Sequence, residues 1–205
     1  LWEGHRVEDV ATPEAYRRDP ALVHQFYDAR RAKLATVEPN DAHKALARLD
    51  AEWPGDLLLV TQNVDDLHER AGARRLIHMH GSNMRGWCVA CDERFPWSGP
   101  MGESASCASC SATGHVRPDI VWFGEMPYEM ERIEDAIRSC DLFVSIGTSG
   151  AVYPAAGFVL TGAGVSAESG VATFRGPDGL WEGHRVEDVC TPEAYVRDPG
   201  PVHEF

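Results

Sequence analysis

Four cysteines grouped in two Cys-x-x-Cys pairs constrain the fold of this chain more than any other feature of its sequence. Cys88 and Cys91 form the first pair, and Cys107 and Cys110 form the second, after a polar arm that contains glycine, serine and proline. Two such pairs supply four thiolates that can close a tetrahedral Zn²⁺ site, whereas a redox dithiol is the competing interpretation. Four cysteine ligands leave no open coordination position, so we predict a structural rather than a catalytic Zn²⁺.

A short apolar run ends directly before a cluster of polar side chains. Residues 57–60 predict a buried strand of a parallel sheet, and Gln62, Asn63 and Asp65 follow it. Open α/β sheets bind ligands outside the carboxyl ends of their strands, so we expect these side chains to face a small molecule.

A second apolar patch, at residues 76–77, leads to His78 and His80. Either imidazole could reach the same cleft and act as a general base, because histidine titrates near neutrality. The alternative is that both are hydrogen-bonded structural histidines.

The composition is that of an ordinary soluble protein. The chain has 205 residues, enough for one large domain or for a domain with a small insert. Its net charge of -13 argues against nucleic acid and anionic membranes as partners, because both are negatively charged. No apolar run approaches the roughly 18 residues of a membrane span, and the first residues have no signal-like apolar core. We expect a cytoplasmic protein.

Tyr27 and Arg30 lie three residues apart in a segment, residues 22–34, whose apolar positions predict a helix. A phenol and a guanidinium so spaced could bind a carboxylate together. An exposed surface pair without a ligand is the alternative.

Two later apolar stretches predict further strands. Residues 117–125 could form a buried strand or an exposed strand that pairs with an extended peptide. Residues 142–146 follow a predicted helix and complete a βαβ rhythm. The turn after them contains Gly147, Thr148 and Ser149, whose free backbone amides could hold a phosphate or a ribose.

Residues 159–170 predict a strand that runs into a glycine-rich turn and then a helix start. Gly162 and Gly164 would let the backbone approach a pyrophosphate, and the helix N-terminus would favour its negative charge. Arg175 adds a cation that could reach a phosphate. This pattern alone is weak evidence for dinucleotide binding.

Together these motifs resemble the sirtuin family of NAD-dependent protein-lysine deacylases. The matching stretches are GAGVSAESG with TFRG, TQNVDDLH, HMHG, both cysteine pairs, VWFGE and GTS. The resemblance implies an α/β fold, with a Rossmann-like parallel-sheet NAD-binding domain (residues 1–80 and 118–205) and an inserted four-cysteine zinc-binding domain (residues 81–117). Acyl-lysine proteins or peptides would enter the cleft between the two domains.

The same resemblance implies roles for individual residues. His80 would be the general base, acting through the ribose hydroxyls as nicotinamide leaves and O-acyl-ADP-ribose forms. Asn63 and Asp65 would line the ribose and nicotinamide pocket, while Val121 and Phe123 would hold the peptide by their backbone. The other expected contacts to NAD are Gln62, Gly147, Thr148, Ser149, Gly162, Ala163, Gly164, Ser166, Ala167, Glu168, Thr173, Phe174 and Arg175.

The resemblance extends to acyl specificity. Tyr27 and Arg30 are similar to the tyrosine and arginine by which the class III branch recognises negatively charged acyl groups. We therefore expect removal of succinyl or malonyl groups beside acetyl groups. ADP-ribosyl transfer with the same cofactor and a catalytically impaired zinc-containing scaffold are the alternatives.

The motif order departs from the sirtuin pattern, because the glycine-rich motifs come last here. Residues 1–26 also reappear as residues 180–205 with five differences, and the usual strand with an Asn-Leu-Glu ribose contact is not found. Residues 158–205 could fold back as a permuted first βα unit, leaving residues 1–26 redundant. They could instead dock on a neighbouring molecule as a swapped segment and form a homo-oligomer.

Overall fold

The computed structural model describes residues 4–147, 180–181 and 184–185. The helices are α1 (Val7–Val10), α2 (Pro13–Arg18), α3 (Pro20–Leu34), α4 (Asp41–Glu52), α5 (Leu67–Ala71) and α6 (Met130–Ser139). The strands are β1 (Leu59–Thr61), β2 (Leu76–His78), β3 (Gly81–Cys88), β4 (Arg94–Pro96), β5 (Val116–Ile120), β6 (Leu180–Trp181) and β7 (His184–Arg185).

The first helices begin at side chains that cap free backbone amides. The hydroxyl of Thr12 accepts a hydrogen bond from the Ala15 amide at 3.0 Å, and proline occupies the first position of α2. Asp19 caps α3 in the same way, through the Leu22 amide at 2.9 Å. Each cap stabilises its helix by about 1 kcal/mol. The starts of α2 and α3 are therefore set by their capping residues, Thr12 and Asp19, and by the proline that follows each.

Helices α1 to α3 form a core with the segment that follows β5. Val10, Val23 and Phe26 are buried in one cluster with Ile120 and Trp122. The first copy of the duplicated segment therefore supplies part of the core, and the packing of residues 158–205 in its place stays a prediction. Apart from β6 and β7, residues 180–205 lie outside the described part of the chain.

Strands β1 and β2 pair in parallel, which confirms the predicted α/β character of the chain. Leu59 pairs with Leu76 and Thr61 pairs with His78. The first strand begins two residues later than predicted, at residue 59 rather than 57. Because the pairing is parallel, the residues after both strands leave the sheet at the same edge.

A second, antiparallel sheet has the strand order β4-β3-β5 and carries the cysteine arm. Helix α3 joins this sheet through the buried Arg31, which donates to the Asn83 carbonyl at 2.7 Å and pairs with Asp28. Asp28 also accepts from the backbone amide of Met101 at 2.9 Å. The arm is therefore tied to the helical core by charge-assisted hydrogen bonds.

The strand predicted at residues 142–146 is not present in the structure. Residues 142–145 have no regular secondary structure, and Ile146 forms an isolated bridge. Leu142 and Val144 are 73% and 55% exposed. An apolar run forms a strand only where its backbone groups hydrogen-bond to a neighbouring strand. Within the described residues, the parallel sheet consists of β1 and β2 and does not include residues 142–146. In the described residues, no helix has the length and apolar character needed to cross a membrane.

Two histidine rings, those of His43 and His68, pack edge to face at 4.7 Å between α4 and α5. His68 is fully buried, and within the described residues neither of its ring nitrogens has a hydrogen-bond partner. Burial, followed by the neighbouring His43, lowers the pKa of His68 to about 4. The ring is therefore neutral in the folded protein at neutral pH.

The buried His68 ring predicts a loss of stability in mild acid. The unfolded chain binds a proton at His68 below about pH 6.5, whereas the folded chain resists it down to about pH 4. We expect the free energy of unfolding to fall across this window, with up to about 3 kcal/mol from this one group. Urea unfolding of wild type and His68→Phe at several pH values would measure it, and equal pH slopes in both proteins would contradict the prediction.

Candidate functional site

The loop after β1 holds three polar residues at the edge of the parallel sheet. The backbone amide of Asn63 donates to the Thr61 hydroxyl at 3.0 Å, and Asp65 accepts from the Leu67 amide at 3.1 Å. Asn63 and Asp65 are buried, and Gln62 is half-buried. The Asp65 carboxylate is therefore held by its own loop, and the buried Asn63 side chain lies on the same loop, at the sheet edge where the sequence predicted a ligand site.

His80 leaves β2 at the same edge as this loop. The Met79 amide donates to the Thr61 carbonyl at 3.1 Å, so the two chains stay together beyond the strand ends. The His80 imidazole hydrogen-bonds to the backbone of Gln62. Burial lowers the pKa of His80 to about 4, so its ring is neutral at neutral pH and can accept a proton.

The glycine after His80 is required by the backbone. Gly81 has a φ of +76°, and a Cβ there would lie 2.2 Å from the Asp119 carbonyl oxygen. No side chain fits at that distance, so only glycine lets β3 begin this close to β5. The turn fixes the direction in which His80 leaves the sheet.

Tyr27 and Arg30 lie inside the protein and not on its surface. The Tyr27 side chain is fully buried, and its hydroxyl accepts a hydrogen bond from the Trp122 indole nitrogen at 3.0 Å. Arg30 is 8% exposed. Burial raises the pKa of Tyr27, and the nearby Arg30 acts in the opposite direction. The alternative of an exposed surface pair is therefore wrong.

The segment after β5 uses its backbone amides within the molecule. Val121 donates to the His80 carbonyl at 2.9 Å, and Phe123 donates to the Ala11 carbonyl at 3.0 Å. Both backbone amides are therefore already used, so a peptide that pairs with Val121 or Phe123 would have to donate hydrogen bonds to their carbonyl oxygens. The first of these bonds also places this segment directly beside His80.

A buried ion pair that the sequence analysis missed shapes the same segment. Arg117 donates to both carboxylate oxygens of Glu125, at 2.6 and 2.9 Å, and the same carboxylate accepts from the Trp122 amide at 2.8 Å. The guanidinium carbon of Arg117 lies 3.3 Å from the centroid of the Trp122 ring. The sequence gives no signal for this pair, because an arginine eight residues from a glutamate has no local signature.

Most of the residues predicted to contact NAD outside this loop lie beyond the described part of the chain. Gly147 is described and exposed, with a φ of +62°. The predicted contacts outside the described residues are Thr148, Ser149, Gly162, Ala163, Gly164, Ser166, Ala167, Glu168, Thr173, Phe174 and Arg175.

The four cysteines of the arm converge on one point. Their sulfur atoms all lie within 4.8 Å of one another, and the Cys88–Cys110 and Cys91–Cys107 pairs are each 3.7 Å apart. These distances are too long for disulfides, whose sulfurs lie about 2.05 Å apart. Four sulfurs about 2.3 Å from a tetrahedral Zn²⁺ are separated by roughly 3.8 Å. The cluster therefore fits the predicted zinc ion.

A sequence model of the Sir2 family matches residues 1–154 and 162–205. NAD-dependent protein deacylases of Bdellovibrio bacteriovorus and Shewanella oneidensis are 58% and 53% identical to this chain, covering 78% and 87% of it and 68% and 74% of the relatives. A solved structure of a Sir2 homologue in complex with NAD is 38% identical, with a TM-score of 0.68. That similarity covers 76% of this chain and 61% of the homologue.

The cysteine cluster predicts that zinc holds the arm together. We expect Cys88→Ser to reduce the zinc content from about one ion per chain to almost none and to lower the melting temperature, because a closed four-thiolate site loses a ligand. Metal analysis and calorimetry would measure both effects. Cys140→Ser is the matched control, since Cys140 is an exposed free thiol. Full zinc occupancy in Cys88→Ser would contradict the prediction.

Proposed function

The chain belongs to the Sir2 family, and from that membership we propose that it is an NAD-dependent protein-lysine deacylase. The observation that carries the proposal is the neutral imidazole of His80, hydrogen-bonded to the Gln62 backbone. Asn63 and Asp65 are buried on the loop that begins there. A base and two polar side chains are thus brought together at the sheet edge where α/β proteins bind ligands.

The described residues fit the nicotinamide-ribose half of NAD by their chemistry. A carboxylate at Asp65 can accept hydrogen bonds from ribose hydroxyls, and an amide at Asn63 can pair with a carboxamide. When bound, NAD would supply an anomeric carbon that becomes electrophilic as nicotinamide leaves. The burial of both side chains would exclude water from their hydrogen bonds to this half.

His80 would move the proton in this reaction. Its bond to the Gln62 backbone occupies one ring nitrogen as a donor, so the lone pair of the other nitrogen could accept a proton from a ribose hydroxyl of bound NAD. The imidazole is neutral above about pH 4 in the protein without substrate. General-base function therefore requires no prior loss of a proton at physiological pH.

The acyl-lysine peptide would lie along the segment after β5. Val121 is hydrogen-bonded to the His80 backbone, and Trp122 is hydrogen-bonded to the buried Tyr27 hydroxyl. The base and the Tyr27–Arg30 pair are therefore connected through one short segment. We propose that an acyl chain passing His80 ends at this pair, whose cation and phenol suit a succinyl or malonyl carboxylate.

We also propose the domain division at residues 81–117. Strands β3 and β4 and the four-cysteine cluster lie within this range, β5 of the same sheet crosses its end, and β1 and β2 precede it. The zinc ion would be structural, as its four thiolate ligands leave no position for substrate. The scaffold and ADP-ribosyl transfer alternatives differ in the reaction products and are separated by the assays below.

The proposed base predicts the effect of one substitution. We expect His80→Ala to reduce nicotinamide release from NAD by at least about 100-fold, because the ribose hydroxyl loses its proton acceptor. The assay compares reactions with and without an acetyl-lysine peptide and identifies the O-acyl-ADP-ribose product by mass spectrometry. His115→Ala, at an exposed histidine, is the control. Absence of release from folded, zinc-loaded wild type would favour the scaffold, and modified peptide would indicate ADP-ribosyl transfer.

The buried Tyr27 and Arg30 pair predicts acyl preference. We expect Arg30→Met to lower kcat/KM for a succinyl-lysine peptide by at least about tenfold and to change the acetyl-lysine value little, because a charge-assisted hydrogen bond contributes roughly 1.5–3 kcal/mol. Tyr27→Phe should act in the same direction. The exposed Arg48→Met is the control. Equal losses for both peptides would contradict a role in acyl selection.

A further inference from the structure

His78, two residues before the proposed base, joins strand β2 to the loop that follows β1. Its Nδ1 lies 2.9 Å from the Asn63 carbonyl oxygen, and its Nε2 lies 2.7 Å from a Glu69 carboxylate oxygen. The His78 side chain is 16% exposed, whereas Glu69 on α5 is 46% exposed. One imidazole therefore bridges the sheet edge, the polar loop and the following helix.

Both partners of His78 can only accept hydrogen bonds. A carbonyl oxygen and an ionised carboxylate offer no proton, so each bond requires an N–H on the ring. A neutral imidazole carries one N–H and can satisfy one of the two partners. The imidazolium carries two and satisfies both. Two acceptors at the two ring nitrogens therefore favour the imidazolium form of His78, whereas His80 is neutral.

The charges around His78 agree with this assignment. Glu69 from α5 and Asp65 from the loop are acidic, and His68 is the neighbouring titratable base. Burial acts to lower the pKa of His78, but the hydrogen bond and charge of Glu69 outweigh it and raise the pKa above its ordinary value. The interaction also lowers the pKa of Glu69 against the opposing effect of burial.

Two histidines thus hold two consecutive residues of the loop. His80 bonds to the backbone of Gln62, and His78 bonds to the backbone of Asn63. The position of the Asn63 backbone sets the direction of its amide side chain. A change in the charge of His78 would therefore directly affect Asn63, the residue proposed to face nicotinamide.

We propose that His78 is a positioning residue whose imidazolium form, bridging Asn63 and Glu69, holds the loop in the conformation that binds the nicotinamide end of NAD. This proposal rests on the proposed function for its consequence, but the bridge itself is a property of the protein without ligand. Above the pKa of His78 in the folded protein, the neutral ring can satisfy only one of its two partners, so the connection that His78 makes between the loop and α5 is lost. NAD binding should accordingly weaken as the pH rises, while the acyl-lysine site is unaffected.

The first test measures the protonation state of His78 directly. Nitrogen NMR of the labelled, zinc-loaded protein should show both ring nitrogens protonated at pH 7, with titration above the ordinary range of histidine. In Glu69→Gln the pKa should fall by about one unit or more, because the charged acceptor is lost. The exposed Glu131→Gln on α6 is the control. A single neutral tautomer at pH 7 in wild type would overturn the proposal, whatever the enzymatic activity.

The second test measures the consequence for NAD. In His78→Gln, which can reach only one partner at a time, we expect the KM for NAD to rise by about tenfold, with the KM for acetyl-lysine peptide unchanged. Glu69→Ala, which leaves the loop sequence intact and removes the acceptor at Nε2, should show the same rise at a lower pH than wild type. Unchanged NAD values in both variants would overturn the positioning role.

The two proposals fail in different ways. If wild type releases no nicotinamide, the deacylase proposal fails, and calorimetric affinity for NAD replaces KM as the measure of the loop. Weaker NAD binding in His78→Gln would then still support positioning. A wild type that does not bind NAD would overturn the positioning role together with the proposed function, even with the imidazolium present.

Discussion

The parallel pairing of β1 with β2 is the constraint on which the candidate site depends. Its register places Thr61 opposite His78, and the Met79 amide extends the ladder by one more bond to Thr61. A slip of one residue would turn every side chain of one strand to the opposite face. The polar loop after β1 and the imidazole of His80 would then no longer meet.

A second constraint links this site to the zinc arm. The Arg117 guanidinium lies between the rings of Trp87 and Trp122 and forms two hydrogen bonds to Glu125. Removing the Glu125 carboxylate would leave the Arg117 guanidinium, whose side chain is 5% exposed, as a buried charge without its ionic partner, and such a loss is strongly destabilising. Since Trp87 belongs to β3 and Trp122 follows β5, this cation fastens the arm to the proposed peptide segment.

Features with a local signature were predictable from the sequence. The spacing of Cys88, Cys91, Cys107 and Cys110 predicted one cluster, and their sulfurs do converge. The strand before Gln62 was predicted to begin at residue 57 but begins at residue 59. An apolar run does not show which of its residues will pair with the neighbouring strand. The predicted strand at residues 142–146 was wrong for a related reason. Its apolar character could be seen in the sequence, but whether it joins a ladder depends on residues elsewhere in the chain.

By itself, the sequence determined the chemistry that this chain can bring to a site, because residue types and short spacings follow directly from it. Four cysteines in two pairs, a segment with amide and carboxylate groups, and two histidines two residues apart are such features. Only the tertiary structure decided which of these groups carry charge. His78 and His80 have the same side chain two residues apart, yet two acceptors hold the first as a cation, whereas burial keeps the second neutral. Protonation is set by neighbours that are not adjacent in sequence, such as Glu69 and Asn63 for His78, and only folding brings those neighbours together.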